Sequence, residues 1–399
     1  MSSLEKIPLI EIKEGLARIL VPDPSKYRRP DGVYEPAWAP VFYNPKMKEN
    51  RDIAVLALVA HLKLTSKREA IVADILGGTG VRGIRFALEV PYVFKAYVND
   101  KNPLAYELTV KNVKLNDLEE RVIVENFDAN LMLQIHRFSS EFFDYIDIDP
   151  FGSPVEFIDS SIMTIKIGGM LGVTATDTAT LEGTYPHACI RKYFSKPLRA
   201  DFSKEMAIRI LIANLAYRAA AYEYGLNVKL GYYSQYYVRV YVTLEKGSKK
   251  ALDTLENIGY VVFNTRTGEY KLIRSIADLA KTAKNGENTV IGGPLWLGAI
   301  ADKQFIGRMI EELKEREYFE NKASLMNLLQ TIIKEADLPP LYYRVDLLGK
   351  RLKKSIPPMK KLFECIRSKG YEAVRPHMDN LGFKTNAPYD VIVKCFSKN

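Results

Sequence analysis

The sequence predicts an α/β protein with a Rossmann-like N-terminal domain and a C-terminal α+β domain. From residue 69 onward, short apolar runs alternate with helical patterns, which is typical of a parallel sheet with crossover helices. A Gly-rich turn follows the first apolar run, where doubly wound folds bind their ligands. The composition shifts to charged and small residues at 245–250. We therefore expect one domain over residues 1–247, including a Pro-rich and aromatic loop at 22–45, and a second domain over residues 248–399.

Composition narrows the class of protein. Of the 399 residues, 47% are hydrophobic and 26% are charged, which is ordinary for a soluble globular protein. No apolar run reaches the length of a membrane span, and we expect a cytoplasmic protein. The net charge of +9 suits a polyanionic partner. The three cysteines, Cys189, Cys365 and Cys395, lie far apart, and we expect neither a disulfide framework nor a zinc site.

Each predicted element follows from its own pattern. Residues 10–22 alternate enough for a hairpin, and residues 50–64 show the apolar face of an amphipathic helix. Predicted strands lie at residues 70–75, 94–98, 122–126, 142–148 and 170–176, with a late antiparallel pair at 228–233 and 236–244. Predicted helices lie at residues 83–89, 103–116, 131–138 and 203–224. Beyond the boundary we expect short strands at 260–263 and 270–273, and helices at 303–316, 321–336 and 357–369.

Three consecutive strand ends carry residues suited to an adenosine. The run from Gly78 through Gly80 to Gly83 matches GxGxxG between a strand and a helix. Asp100 lies 20 residues after Gly80 and could accept both ribose hydroxyls, and Asp128 ends the third strand near the expected adenine. These ends do not distinguish NAD from S-adenosylmethionine, and the acids could instead cap the following helices.

The fourth strand end indicates the reaction. Asp149-Pro150-Phe151 resembles the [Asp/Asn]-Pro-Pro-[aromatic] motif of methyltransferases that act on base amines. An exocyclic amine is a poor nucleophile because its lone pair is delocalised into the ring. The Asp149 carboxylate and a nearby backbone carbonyl could hold both amine hydrogens, and Phe151 could stack on the base. The alternative is a simple Asp-Pro turn followed by a core aromatic.

The chain resembles the tRNA guanine-26 N2-dimethyltransferase family over nearly its whole length. The motifs that carry the resemblance are separated but occur in one order. They are residues 40–45 and 50–52, 74–83, 147–153, 174–179, 189–193, 237–240, 293–298 and 382–388, with His377. The resemblance implies S-adenosylmethionine as the methyl donor and tRNA as the partner. We expect a monomer that transfers one or two methyl groups to guanine N2.

The resemblance also implies residue roles. Phe42 and Phe151 are expected to sandwich the guanine, and Asp149 to receive its amine. For the cofactor, Arg51 is expected to pair with the methionine carboxylate and Arg82 to add a further contact. Ribose recognition is expected at Asp100, and adenine recognition at Asp128 and the backbone of Ala129. Gly78 and Gly80 complete the cofactor set.

One departure from the family concerns metal. Many relatives carry two zinc-spaced Cys pairs early in the C-terminal part, whereas residues 260–273 contain no cysteine. We therefore expect no zinc, and a structural or RNA-contacting role for His187 and His377. Candidate phosphate contacts are Arg344, Lys350, Arg351, Lys353, Lys354, Lys360, Lys361 and Lys384. Two other functions stay open, namely methylation of another base amine such as adenine N6, and RNA binding without catalysis.

Overall fold

The computed structural model describes residues 4–283 and 288–396. Within these ranges the strands are β1 (Leu9–Glu14), β2 (Ala17–Pro22), β3 (Ala70–Asp74), β4 (Val93–Asn99), β5 (Val122–Glu125), β6 (Phe143–Ile148), β7 (Ile165–Ala175), β8 (Tyr224–Ser234), β9 (Tyr237–Lys246), β10 (Ile258–Asn264), β11 (Tyr270–Ile273), β12 (Thr289–Trp296), β13 (Tyr343–Arg344), β14 (Ala373–Val374) and β15 (Gly382–Thr385). The helices are α1 (Lys48–Leu64), α2 (Val81–Glu89), α3 (Pro103–Leu115), α4 (Ala129–Phe138), α5 (Val155–Thr164), α6 (Thr178–Leu181), α7 (Pro186–Tyr193), α8 (Ser203–Ala221), α9 (Ser248–Leu255), α10 (Ile276–Ala283), α11 (Lys303–Lys314), α12 (Lys322–Glu335), α13 (Val345–Leu352), α14 (Met359–Arg367) and α15 (Tyr389–Phe396).

The chain divides into two compact units. The first unit comprises Met1–Pro150, Glu156–Val173 and Gln304–Met326, and the second comprises Phe151–Val155, Thr174–Lys303 and Asn327–Asn399. These units are defined by how compactly the chain packs, whereas the predicted boundary at residue 247 separates two functions. That boundary stays a prediction.

Five parallel strands form the centre of the first unit, in the order β5-β4-β3-β6-β7. Ala73 of β3 lies opposite both Tyr97 of β4 and Ile146 of β6. The strand order reverses between β3 and β6, and ligands of such sheets bind outside the carboxyl ends at this reversal. The predicted α/β class is confirmed. The Gly-rich turn after β3 and Asp149 after β6 both lie at this point.

Local signals explain where the helices around the sheet begin. Gly80 precedes α2 with a φ of 77°, a left-handed conformation that favours glycine. Asn102 caps α3 by accepting from Leu104 N, and Pro103 occupies the first helical position, where no amide hydrogen is needed.

Helix α1 differs from its prediction. Every residue from Asn50 to Leu62 is buried, so the expected single apolar face is wrong. The polar side chains at its start avoid the cost of burial because they are paired. Arg51 is hydrogen-bonded to Glu14, and Asp52 forms ion pairs with Lys48 and Arg85.

The second unit is mixed α and β. The long strands β8 and β9 pair antiparallel, with Tyr232 opposite Arg239. Two small antiparallel sheets follow, in the orders β11-β10-β12 and β13-β15-β14. The second of these packs with α13, α14 and α15 around a core that includes Leu348, Ile366 and Phe383.

Several elements were not predicted. The turn-forming Gly292, Gly293 and Pro294 lie within strand β12, because Gly292 and its neighbours pair with β10 in the folded chain. Helices α5 and α7, of ten and eight residues, also lie outside the predicted elements. In β12 the pairing with β10 overrides the local turn pattern.

The expectation of no disulfide is wrong. Cys365 of α14 and Cys395 of α15 are joined, with their Cα atoms 5.7 Å apart. A separation of 30 residues hid this proximity in the sequence. Cys189 is a buried free thiol, and its burial raises its pKa to about 12.

Among the described helices, none combines the length and apolar character that crossing a membrane requires.

Candidate active site

The Gly-rich turn is hydrogen-bonded to Asp100, the acid that follows β4. One carboxylate oxygen of Asp100 accepts from Gly78 N at 2.9 Å, and the other accepts from Asn102 N at 2.9 Å. Gly77 N donates to Asn99 O at 2.8 Å. The structure thus brings together the Gly78 turn and Asp100, two of the predicted cofactor-binding features, at adjacent strand ends.

The turn has little space for side chains at its glycines. A Cβ on Gly78 would lie 3.0 Å from Phe42 O, so the Pro-rich loop passes directly against the turn. A Cβ on Gly80 would lie 2.5 Å from the Thr109 side chain. The Thr109 hydroxyl and the Asn112 amide in turn donate to the carbonyls of Gly78 and Thr79. A bare and fixed backbone of this kind can approach a ligand closely.

Asp128 is the N-cap residue of α4, as the capping alternative proposed. Its carboxylate accepts from Asn130 N at 3.0 Å and from Leu131 N at 3.4 Å, and the residue is exposed. Ala129 behind it is buried. Asn99 was missed by sequence reasoning, although its amide donates to both Ile75 O and Phe127 O at 3.1 Å. It therefore fixes the strand ends that present the predicted adenosine-binding residues.

Asp149 faces a guanidinium. Arg82 donates one Nη hydrogen to Asp149 Oδ2, and its Nε lies 3.3 Å from Asp147 Oδ1. Its other Nη donates to Asn50 Oδ1 at 2.9 Å. Arg82 is 4% exposed and is held from three sides. Within the described part of the chain, Asp149 Oδ1 has no hydrogen-bond partner, so one acceptor oxygen stays open.

Asp74 adds a third carboxylate to this cluster. Burial, together with the charges of Asp147 and Asp149, raises the pKa of Asp74 to about 7 although Arg82 opposes the rise. Its Oδ2 is buried, and no hydrogen-bond partner for it is found among the described residues. Since one guanidinium faces three acids, the proton on Asp74 relieves their mutual repulsion.

Arg51 is held by a carboxylate that the sequence did not single out. Its Nε and Nη2 donate to Glu14 at 2.7 and 2.6 Å, in the bidentate geometry preferred by guanidinium and carboxylate groups. Arg85 also bonds to Glu14, at 2.9 Å. Burial alone would raise the pKa of Glu14, but Arg51 and Arg85 outweigh it and hold that pKa well below its usual range. No local sequence pattern around Glu14 predicts that it holds Arg51 in place.

The two predicted guanine-stacking aromatics belong to different units. Phe42 is half-buried in the first unit, and Phe151 is 70% exposed at the start of the second. The turn that carries Phe151 is fixed, because Gly152 N donates to Thr176 Oγ1 at 2.7 Å and Gly152 O accepts from Thr176 N. The sandwich of guanine between Phe42 and Phe151 stays a prediction.

The predicted RNA contacts separate into buried and exposed groups. Lys384 is 2% exposed and bonds to Glu205, so it is wrong as a phosphate contact. Arg351 is paired bidentately with Asp201, and Arg344 is paired with Asp346. Exposed lysines remain at positions 350, 353, 360 and 361.

His377 is structural rather than RNA-contacting. Its Nε2 accepts from Tyr233 N at 3.1 Å, which places the ring proton on Nδ1, facing Glu335. Across residues 4–283 and 288–396, no group of three or more His, Cys, Asp or Glu side chains could hold a metal ion. The expected absence of zinc stays a prediction.

Comparison with known proteins covers almost the whole chain. Residues 15–397 match the family model described as N2,N2-dimethylguanosine tRNA methyltransferase. A Pyrococcus furiosus protein named tRNA (guanine(26)-N(2))-dimethyltransferase is 41% identical, with 98% of this chain and 99% of that protein aligned. One of the same name from Metallosphaera sedula is 38% identical over 97% of this chain and 96% of the relative. Trm1 from Pyrococcus horikoshii, solved with S-adenosyl-L-methionine, superposes with a TM-score of 0.84 at 38% identity, covering 97% and 99% of the two chains.

Proposed function

The chain belongs to the N2,N2-dimethylguanosine tRNA methyltransferase family. On this premise we propose that it transfers methyl groups from S-adenosylmethionine to the exocyclic N2 of guanine 26 in tRNA, with Asp149 as the acceptor for the amine. The arrangement of Asp149 carries the proposal. The carboxylate stands at the carboxyl end of β6, beside the reversal of strand order, with one oxygen bonded to Arg82 and the other open.

The open oxygen suits the electronic demand of the reaction. An N–H···O bond to Asp149 Oδ1 draws the amine hydrogen out of the plane of the base and favours a localised lone pair on N2. The methyl group would replace one hydrogen on N2, the donor would leave as a neutral thioether, and Asp149 can accept the displaced proton. Arg82 keeps the carboxylate oriented while this happens, because its guanidinium is bonded on the other side to Asn50.

The residues present fit the expected cofactor. The bare Gly78 turn would hold the methionine part, Asp100 the ribose, and Asp128 with the Ala129 backbone the adenine. Arg51 would meet the methionine carboxylate, since the Glu14 fork leaves its Nη1 without a partner among the described residues. The buried and unpartnered Asp74 Oδ2 lies beside the turn, where a donor group would satisfy it. When bound, S-adenosylmethionine supplies an electrophilic methyl group on its sulfonium.

The guanine must leave its base pair to reach this site, since a stacked and paired amine is inaccessible. Phe151, exposed on its fixed turn, supports a stacking role, and Phe42 is proposed for the opposite face of the base. A monomeric state, a cytoplasmic location and the RNA-binding role of residues 248–399 stay predictions.

The experiment is nucleoside mass spectrometry of unmodified tRNA incubated with the protein and labelled S-adenosylmethionine. We expect N2-methylguanosine and N2,N2-dimethylguanosine at position 26, and Asp149→Ala should lower their rate of formation by about a thousandfold. Calorimetry should show that this variant still binds the cofactor. Near-normal turnover by Asp149→Ala would refute the acceptor role, and methylation of another base would refute the substrate.

A further inference from the structure

We propose that the outward face of α7 is a contact surface for the unpaired nucleotides that flank the flipped guanine. The inference rests on the proposed function, and it names the part of the substrate that this surface binds. The surface, called the α7 face below, consists of Tyr185, His187, Ile190, Arg191, Phe194 and Lys196. All six residues are exposed.

Helical spacing gathers three of these residues on one side. His187, Ile190 and Arg191 follow the i, i+3, i+4 pattern that lines one face of a helix, and Phe194 directly follows the helix as its C-cap residue. On the opposite side, Cys189 and Tyr193 are completely or almost completely buried. The α7 face is therefore a solvent-facing stripe, whereas Cys189 and Tyr193 belong to the core.

The stripe is unusually aromatic for a solvated surface. Tyr185 is 61% exposed and Phe194 is 57% exposed. Large exposed apolar groups that occur together mark interaction sites more often than isolated ones do. Single-stranded nucleic acids are bound by such aromatic rings, because every base offers a face on which to stack.

The charge of the segment favours a nucleic acid over a protein. Residues 184–199 contain four Arg or Lys side chains and no Asp or Glu. Lys192 pairs with Asp177 at 3.2 Å. In the described structure, Arg191, Lys196 and Arg199 have no carboxylate partner. Unneutralised cations interleaved with exposed aromatics match a phosphate backbone carrying unstacked bases.

The α7 face is physically coupled to the turn that presents Phe151. The Tyr193 hydroxyl donates to Asp177 at 2.6 Å and is hydrogen-bonded to the Ser153 side chain. Ser153 follows Phe151 by two residues, and Tyr193 directly precedes Phe194. A base stacked on Phe151 and a neighbouring nucleotide on the α7 face would thus bind to one rigid assembly.

The loop after α7 is also fixed, which makes the surface preorganised. Lys196 N donates to Gly293 O and Gly293 N donates to Lys196 O, both at 2.9 Å. A Cβ on Gly292 would lie 2.7 Å from the Leu198 side chain, so this strand packs closely beneath the loop. The Gly-rich segment of β12 thus acquires a role in holding the cations in place. Rigid surfaces lose less entropy on binding.

Binding of full-length unmodified tRNA, measured by fluorescence anisotropy at several salt concentrations, tests the proposal. Removing the cations in Arg191→Gln/Lys196→Gln should weaken binding about tenfold at 0.15 M salt and reduce the salt slope by about 1 for each lost phosphate contact. Removing the rings in Tyr185→Ser/Phe194→Asn should weaken binding at least about fivefold with an unchanged slope. Asn suits position 194 because Phe194 has a φ of 56°.

Matched controls lie on the first unit. Phe138→Ser removes an 86% exposed ring from α4, and Lys111→Gln/Lys114→Gln removes two exposed cations from α3. Both should leave tRNA affinity within twofold of the unmodified chain. All variants should retain cofactor affinity and melting temperature, which separates loss of contact from loss of fold. Unchanged tRNA affinity in both α7 variants would overturn the proposal.

A crosslinking arm identifies the partner directly. The change Ile190→p-benzoylphenylalanine places a photoreactive group in the α7 face, and we expect a crosslink within about three nucleotides of the methylated guanine. Crosslinking only to distant nucleotides, or only to a second copy of the chain, would overturn the inference. The proposed function is judged separately, since absence of methylguanosine from the unmodified enzyme would refute that function whatever the binding data show.

Discussion

At the scale of single residues, the candidate site depends on charged side chains that are already held in place by oppositely charged partners. Binding of the cofactor and the base therefore does not have to order them. Arg82 orients Asp149, and Glu14 orients Arg51. In both pairs a residue expected at the site is held by one that lies elsewhere in the sequence. A buried charge of this kind is stable only while its partner is present.

The Glu14 carboxylate offers a direct test of this dependence. Glu14→Gln leaves Arg51 and Arg85 buried with one negative charge fewer, and should lower the free energy of unfolding by about 3 kcal/mol. It should also weaken S-adenosylmethionine binding, because the Arg51 fork is no longer fixed. Denaturant unfolding and calorimetry measure the two effects. Glu11→Gln on the same hairpin breaks only an exposed pair with Arg18 and should leave the free energy of unfolding nearly unchanged. Equal effects of the two variants would contradict the argument.

Asp74 predicts a pH dependence with a definite sign. Its pKa is about 7 in the folded chain, against an ordinary value of 3.8 for an aspartate, so the folded state holds a proton that the unfolded state releases. Its contribution to stability therefore falls as pH rises from about 4 to about 7. Asp74→Asn cannot ionise, and above pH 7 it should be more stable than the unmodified chain by up to roughly 4 kcal/mol. Unfolding in urea at pH 4.5 and pH 8 measures the difference, and a gap that does not widen with pH would contradict it.

At the scale of elements, the C-terminal helices are joined covalently as well as by packing. α14 and α15 contribute Ile366 and Ile392 to the core around β15, and the Cys365–Cys395 bond links them. The helices are short, and an isolated helix of eight or nine residues is marginal in water. The link therefore stabilises an element pair whose own propensity is weak.

Reduction of this bond should be measurable. Closing a loop of 30 residues removes entropy from the unfolded chain worth about 3.6 kcal/mol, so TCEP or Cys365→Ser should lower the melting temperature. Differential scanning calorimetry with and without TCEP measures the shift. In Cys365→Ser the melting temperature should no longer respond to TCEP. A continued response in that variant would place the redox effect at another cysteine.

At the scale of the whole molecule, the net charge of +9 is the feature that suits a polyanionic substrate. The structure shows that not all of this charge is available. Lys384, Arg351 and Arg344 are committed to carboxylates, whereas Lys350 and Lys353 are exposed. Only exposed cations can release counterions when a phosphate backbone binds.

Charge reversal at the exposed lysines tests their part in tRNA binding. Lys350→Glu/Lys353→Glu should weaken tRNA binding and make its salt dependence shallower by about 2, with cofactor affinity unchanged. Filter binding over a range of salt concentrations measures the slope. The matched pair Lys111→Glu/Lys114→Glu on α3 should retain the full slope. An unchanged slope in the first variant would mean that this segment faces solvent in the complex.

The sequence by itself determined the class of fold, the strand ends and the residue types placed there. Alternation of strands and helices is a local property, and so are the Gly-rich turn before α2 and the acids Asp100, Asp128 and Asp149. These features can be predicted from the sequence because the carboxyl ends of consecutive parallel strands lie at one edge of a sheet.

Only the tertiary structure decided which residues pair with each other. Glu14 of the hairpin meets Arg51 of α1, Cys365 meets Cys395, and Lys384 is buried on Glu205. The same is true of the pairing between Lys196 and Gly293 that fixes the surface beside α7. The physical reason is that the residue type alone sets the chemistry of a side chain. Its burial and its hydrogen-bond partner depend on segments that folding brings together from distant parts of the chain.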